Sequence, residues 1–330
     1  VLEADLIMLK FWERLRKGPK AATAGGGAVA DPGSTHKDAD AIHASFLSLL
    51  LGGSRLHREE ALTTPEKLVG QAVEQLLRNS EQRAAAVPRL PTLLPLLLKQ
   101  LRDPLASSRD YASLILQDPL ISPTVLRVAN SVYFNPYRKS LDNFERVVAD
   151  LGVIKLRMVL SAAVMQPVLL GPADSLPQKV WKHSLACAAI CQSLAPRDNV
   201  DPYLAYLTGL IHDIGVVTLY NQVQQMHREY LDGAQTGRAL LHGLIEKWAK
   251  QLAVWIAQDW QFPPEVIQAL AAQDDPAQDT ALGRVLRRAN AICEAHDVYR
   301  AELIERRAFE QIATRLRIPA PMLQALENGD

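Results

Sequence analysis

Cysteine is scarce and odd in number, three in 330 residues, which makes no secreted disulfide framework and fits a reducing cytoplasm. Net charge is also missing. Lys plus Arg is 36 and Asp plus Glu is 36, so the global positive field used by most nucleic-acid and anionic-membrane binders is absent. No apolar run approaches the ~18 to 20 residues that span a bilayer, and no signal peptide with a small-residue cleavage site is read at the start. A Walker loop, a dinucleotide glycine fingerprint and a GxSxG elbow are missing as well. These absences predict a soluble, cytoplasmic protein without nucleic-acid or membrane partners. Length is ample: at ~150 residues per domain the chain accommodates about two domains and buries a core without metal or disulfide staples.

Apolar residues recur at helical spacing almost throughout. Leu2, Leu6, Leu9, Trp12 and Leu15 stand among charged residues, so 1–18 is read as an amphipathic helix packing on its own protein or a partner. Residues 19–40 hold Gly25 to Gly27, Pro32 and Gly33 with almost nothing large and apolar, the composition of a flexible linker. Residues 41–86 form a helical lead-in, with one helix around Ile42 to Leu51 and a second N-capped by Thr64 with Pro65 in its first position. At Val87 the pattern changes to a Leu-rich helix punctuated by Pro88, Pro91 and Pro95, and a compact domain begins. Beyond it, Gly152 breaks a helix carrying Phe144, Val147, Val148 and Leu151, and Asp201 caps one that starts at Pro202. Val216 to Tyr220 has strand character but no partner strand. The fold class predicted is all-α.

The most suggestive motif is Leu210-Ile211-His212-Asp213-Ile214-Gly215. Adjacent helical side chains diverge by about 100°, so His212 and Asp213 can converge on one metal ion. His183, on the preceding long helix, is a third candidate ligand. A His, then a His-Asp pair, then a distant Asp is the order in which HD-type phosphohydrolases build a metal site that generates hydroxide and clamps a phosphate. Taken alone, these residues are more often hydrogen-bonded structural groups. Cys187 and Cys191 share a helix face with His183, but His183 and Cys191 lie about 12 Å apart along the axis, too far for one zinc. They and Cys293 are read as core. The second dipeptide, His296-Asp297, near a helix end, is read as accidental. Arg127 and Asn130 are assigned to tying helix ends, and Trp248 and Trp255, seven apart, to the core.

Six segments occur together and in order: Leu90 to Leu93, Gln117-Asp118-Pro119, Leu126 to Ser131, Leu151-Gly152 to Leu156-Arg157, Trp181 to Ser184, and Leu210 to Gly215. This set strongly resembles the HDOD family, bacterial signal-output domains related to the HD phosphohydrolases, over residues 87–297, with C-terminal helices over 298–330. The resemblance implies an all-helical, two-lobed domain with an N-terminal helical extension, acting in signalling as an interaction or regulatory module. It also matches His183, His212 and Asp213 to the first three metal positions. The fourth, an aspartate in the parent pattern, falls at Asn290, a neutral amide that substitutes poorly for a carboxylate on a divalent cation. Ala249 and Ala253 stand where a His and a Gly are common, and Ala271, Ala272 and Gln273 where a His pair often occurs, so the histidines of a two-metal site are missing. No Gly-Tyr-Pro segment follows Asp213, unlike the HD-GYP phosphodiesterases.

The resemblance and these departures predict a noncatalytic bacterial signal-transduction module, without cofactor, that binds a protein such as a signalling kinase or cyclase. Two alternatives stand beside it. One is a metal-dependent HD-type phosphohydrolase holding Mn, Fe, Zn or Mg at His183, His212 and Asp213, with Asn290 completing or orienting the site. The other is a small-molecule or nucleotide sensor using the degenerate pocket.

Overall fold

Short polar side chains and prolines set where the helices start. In the computed structural model, which describes residues 32–53, 62–88, 94–101, a few positions between 107 and 113, 121–130, 134, 144–172, 175–230, 237–273 and 279–327, every regular element is helical. These are α1 (Pro32–Leu50), α2 (Thr64–Arg78), α3 (Ser80–Ala86), α4 (Leu94–Leu101), α5 (Ile121–Ala129), α6 (Phe144–Leu169) and α7 (Leu176–Leu194). A 3-10 turn (Ala195–Asp198) leads to α8 (Pro202–Ile211), α9 (Ile214–Tyr230), α10 (Arg238–Asp259), α11 (Pro264–Ala271), α12 (Ala281–Arg300), α13 (Arg306–Arg315) and α14 (Ala320–Glu327). The fold is all-α, and Val216 to Tyr220 lies inside α9.

Several boundaries move. The cap of α2 is Thr63, one residue earlier than the sequence reading: its hydroxyl accepts from the Glu66 amide at 3.4 Å, while Glu66 accepts from the Thr63 amide at 2.8 Å. That reciprocal pair satisfies two otherwise orphaned donors, which Thr64 cannot do with a glutamate at the required spacing. The linker expected over 19–40 is cut short, because α1 begins at Pro32; proline's fixed φ suits a first helical turn as well as a linker. Residues 19–31 and the expected helix over 1–18 lie outside the described residues. Gly152 does interrupt its helix, at φ 70° and ψ 170°, so α6 is two helices joined at a kink. Asp201 caps α8 through the Leu204 amide at 2.8 Å.

The stretch Pro202–Arg228 has the length and mean hydropathy, 1.2, of a membrane-crossing helix, contrary to the reading that no run comes close. It is 83% buried within the protein's own core and bends at His212-Asp213 between α8 and α9. Apolarity here serves packing.

The core is arranged around α7, against which α1, α6, α8, α9 and α12 all pack. The other helices then fall into two groups. One, α4 and α5, packs on α6; the other, α8 to α13, closes around α7 and α12. The lead-in helices join the second group: α1 lies on α7 and α12, and α2 on α9 and α10. Glu74 of α2 pairs with Lys247 at 2.6 Å, and the Arg83 guanidinium sits 4.0 Å from the Trp255 ring, whose centroid is 6.3 Å from that of Trp248. The two tryptophans are thus half-buried in the seam between the lead-in and α10. Arg127 and Asn130 do structural work: Arg127 donates to Gln166 at 3.1 Å, joining α5 to α6, and Asn130 donates to the Leu126 carbonyl.

Candidate functional site

The close approach of α9 to α10 is dictated by small residues. A Cβ added at Gly215 would fall 1.9 Å from the Ala249 carbonyl oxygen and 3.1 Å from the Ala253 nitrogen, so only glycine permits this contact. It follows directly after His212 and Asp213, and fixes where the turn between α8 and α9 holds those two side chains.

His183 comes to them from the middle of α7. Ligand atoms of His183, His212 and Asp213 lie within 4.8 Å of one another, both histidines buried and Asp213 half-buried. Asp213 Oδ2 is 3.3 Å from His212 Nε2 and 3.9 Å from His183 Nε2. Asn290 of α12 completes the group: its Oδ1 accepts from His183 Nε2 at 2.8 Å and from His212 Nε2 at 3.1 Å. All four residues singled out in the sequence therefore meet in one place.

The opposite ring nitrogens point outward to acceptors. His183 Nδ1 donates to Asp297 Oδ2 at 3.1 Å, and His212 Nδ1 donates to the Gly209 carbonyl at 2.8 Å. Burial alone would drive the His183 imidazole towards its neutral form, yet the Asp297 hydrogen bond and charge, with Asp213 behind them, outweigh it and hold the group up to about 10. Asp297 is thus the orienting partner of His183, and its reading as accidental is corrected. The signal was there: Asn290, Glu294 and Asp297 step at i, i+4, i+7 along one face of α12.

Glu294, Phe46 and His43 also belong to the site and were not foreseen. Asn290 Nδ2 donates to Glu294 Oε1 at 3.0 Å, and the same oxygen accepts from His43 Nδ1 of α1 at 2.8 Å. The Phe46 ring, also from α1, covers His183 with centroids 4.5 Å apart. Burial works against a charge on His43, but the bond to Glu294 and that carboxylate's charge raise its pKa above the ordinary 6.5.

The three cysteines are buried, as expected for core residues. Burial and contact with Cys191 push the Cys187 thiol well up, and contact with Cys187 together with burial does the same to Cys293. Neither thiol is poised as a nucleophile.

Once both Nε2 atoms give up the protons they share with Asn290, the donor chemistry fits one divalent ion. Two imidazole nitrogens, a carboxylate oxygen and an amide oxygen converge, and each histidine is aimed through its other nitrogen in the way metal-ligating histidines are. Ala249 and Ala253 offer no side-chain donor for a second ion, and the α9 backbone lies against them.

A family model, HDOD domain, matches residues 87–276. A curated relative from Treponema pallidum (strain Nichols), itself uncharacterised, is 24% identical over 229 residues, which are 66% of this chain and 44% of the relative; the chain thus spans less than half of that protein's length. Two solved structures share the fold. One, from Shewanella amazonensis SB2B and provisionally named a metal-dependent phosphohydrolase, is 19% identical with a TM-score of 0.55, over 81% of this chain and 98% of that one. The other, from Marinobacter aquaeolei VT8 and provisionally named a signal transduction protein, is 18% identical with a TM-score of 0.51, over 80% of this chain and 66% of that one. Asn290, Glu294, Asp297 and α1 all fall outside the matched span.

Proposed function

Because the chain belongs to the HDOD domain family, we propose that it is a noncatalytic cytoplasmic signalling module whose HD-type centre serves as a polar tie and a conformational reporter. Its partner is a protein, in the class of a signalling kinase or cyclase. The observation that carries this reading is Asn290: a neutral amide, where the parent pattern has a carboxylate, accepts from both histidines and so joins α7, the α8–α9 turn and α12. Two features support it. Phe46 lies over His183 on the side of α1, and Ala249 and Ala253, packed against Gly215, bring no side-chain ligand for a second metal.

A second reading, metal-dependent phosphohydrolase, is favoured by the outward-tied Nδ1 atoms, which leave both Nε2 atoms facing Asp213, and the Shewanella protein carries that name. His183, His212, Asp213 and the Asn290 oxygen would hold the ion. Bound there, it would supply Lewis-acid polarisation of a phosphoryl oxygen and an activated water.

Thermal melting with and without manganese, beside a phosphoester hydrolysis assay, separates the two. The noncatalytic module gives no turnover in the wild type. Metal-dependent turnover that His212→Ala abolishes would replace it with the enzyme. Affinity capture from the native bacterium then tests the partner class, and recovery of neither kinase nor cyclase would remove it.

A further inference from the structure

The HD-type centre is connected to α1 by a continuous polar chain. Glu294 Oε1 accepts two hydrogen bonds at once, from His43 Nδ1 at 2.8 Å and from Asn290 Nδ2 at 3.0 Å. The second bond decides which way the Asn290 amide faces. With its NH2 committed to Glu294, its oxygen turns to His183 and His212; rotated by half a turn, it would set an NH2 against two ring nitrogens that now donate. Glu294 is 6% exposed and His43 is 38% exposed, so the carboxylate is interior, while the histidine that bonds it rides on a helix nearer the surface.

The attachment of α1 is graded along its length. At its C-terminal end Lys179 Nζ donates to the carbonyls of Leu49 at 3.2 Å and Leu50 at 3.4 Å, and Leu47 and Leu50 are core residues. One and two turns back stand Phe46 and His43, the residues that touch the centre, and before them Ala39 to Ala41 are exposed. Beyond Leu50 the backbone turns at Gly52 with φ 77°. A helix held most firmly at its C-terminal end, with its centre-facing contacts one and two turns away, can lift from the other.

We propose that α1 is a strap over the His183, His212 and Asp213 centre, coupled to it through His43, Glu294 and Asn290, so that docking of α1 and orientation of the Asn290 amide switch together. Lifting α1 removes Phe46 from His183, takes the His43 donor from Glu294 and opens the carboxylate to water, which competes with the Asn290 NH2; an amide freed in this way no longer presents its oxygen to both histidines. Coupling of this kind is reciprocal, so whatever perturbs the histidines also changes how firmly α1 is held. The proposal rests on the reading of this centre as the signalling site and names its regulation.

The test uses the full chain without added metal. Hydrogen exchange over residues 39–50 reports docking, and the 15N resonances of the His183 and His212 rings report the centre. His43→Ala, a change at a half-buried position, is expected to speed exchange of α1 about tenfold and to move both ring signals, although His43 touches neither ring. His43→Lys, which supplies a donor opposite Glu294, should return both readouts toward wild type. If α1 stays docked in His43→Ala, the double variant His43→Ala/Phe46→Ala detaches it. Ring signals that stay in place while α1 exchanges freely would overturn the coupling, as would α1 protection unchanged in both variants. Phosphoester turnover by the wild type would sink the noncatalytic reading and leave this coupling standing.

Discussion

The Asn290 carbonyl oxygen accepts the Nε2 proton of His183 at 2.8 Å, joining α12 to α7 across 107 residues of chain. Because the acceptor is an amide, it adds no negative charge among Asp213, Glu294 and Asp297. The same amide donates a hydrogen bond to Glu294, which an ionised carboxylate cannot do. Asn290 is therefore fitted to a hydrogen-bonded centre in a way an aspartate is not.

Replacing His212 by Ala removes the donor to Gly209 and one donor to Asn290. The expected loss is ~1 to 3 kcal/mol of folding stability, the cost of leaving buried acceptors unsatisfied. Urea unfolding checks it, and an unchanged midpoint would mean the ring is replaceable by water.

Asn290→Asp supplies a carboxylate as the fourth ligand. Manganese affinity, measured by titration calorimetry, should rise about tenfold or more over wild type, since affinity for a hard cation follows the charge of its oxygen ligands. Equal affinities would show that position 290 does not face the ion.

Two glycines should respond in opposite directions. Gly215→Ala drives a methyl into the Ala249 carbonyl and is expected to cost about 3 kcal/mol or more, because backbone must move. Gly243, exposed on α10 with nothing within 4 Å of an added Cβ, should gain ~0.5 to 1 kcal/mol as Ala. Denaturant midpoints of both variants test the packing directly.

The raised pKa of His43 makes docking of α1 pH-dependent. Besides Glu294 of α12, Asp213 favours its charge and Lys250 of α10 opposes it. Since the folded value lies above 6.5, the stabilisation is fully present below pH 6.5 and is lost as pH rises through the folded value. Protection factors over residues 39–50 should fall on that rise, and His43→Asn should flatten the dependence. A wild type whose protection does not change with pH would show that the pair contributes nothing.

Local physics made much of this protein legible from sequence. Helical period indicated the all-α class, Asp201-Pro202 and Gly152 marked a start and a break, and the order of His183, His212, Asp213 and Asn290 singled out residues that the fold brings together. What the sequence could not decide was the company those residues keep. Pro32 reads as linker until a helix is seen to begin there, because its neighbours are small and the helix draws its stability from packing at Phe46 and Leu47. Asp297 reads as an exposed helix end, yet its place on α12 brings it to His183, 114 residues away. His43 and Glu294 are separated by 251 residues. Periodicity fixes which face of a helix a residue occupies, but which helix lies opposite, and in what register, follows from how all the apolar faces pack at once.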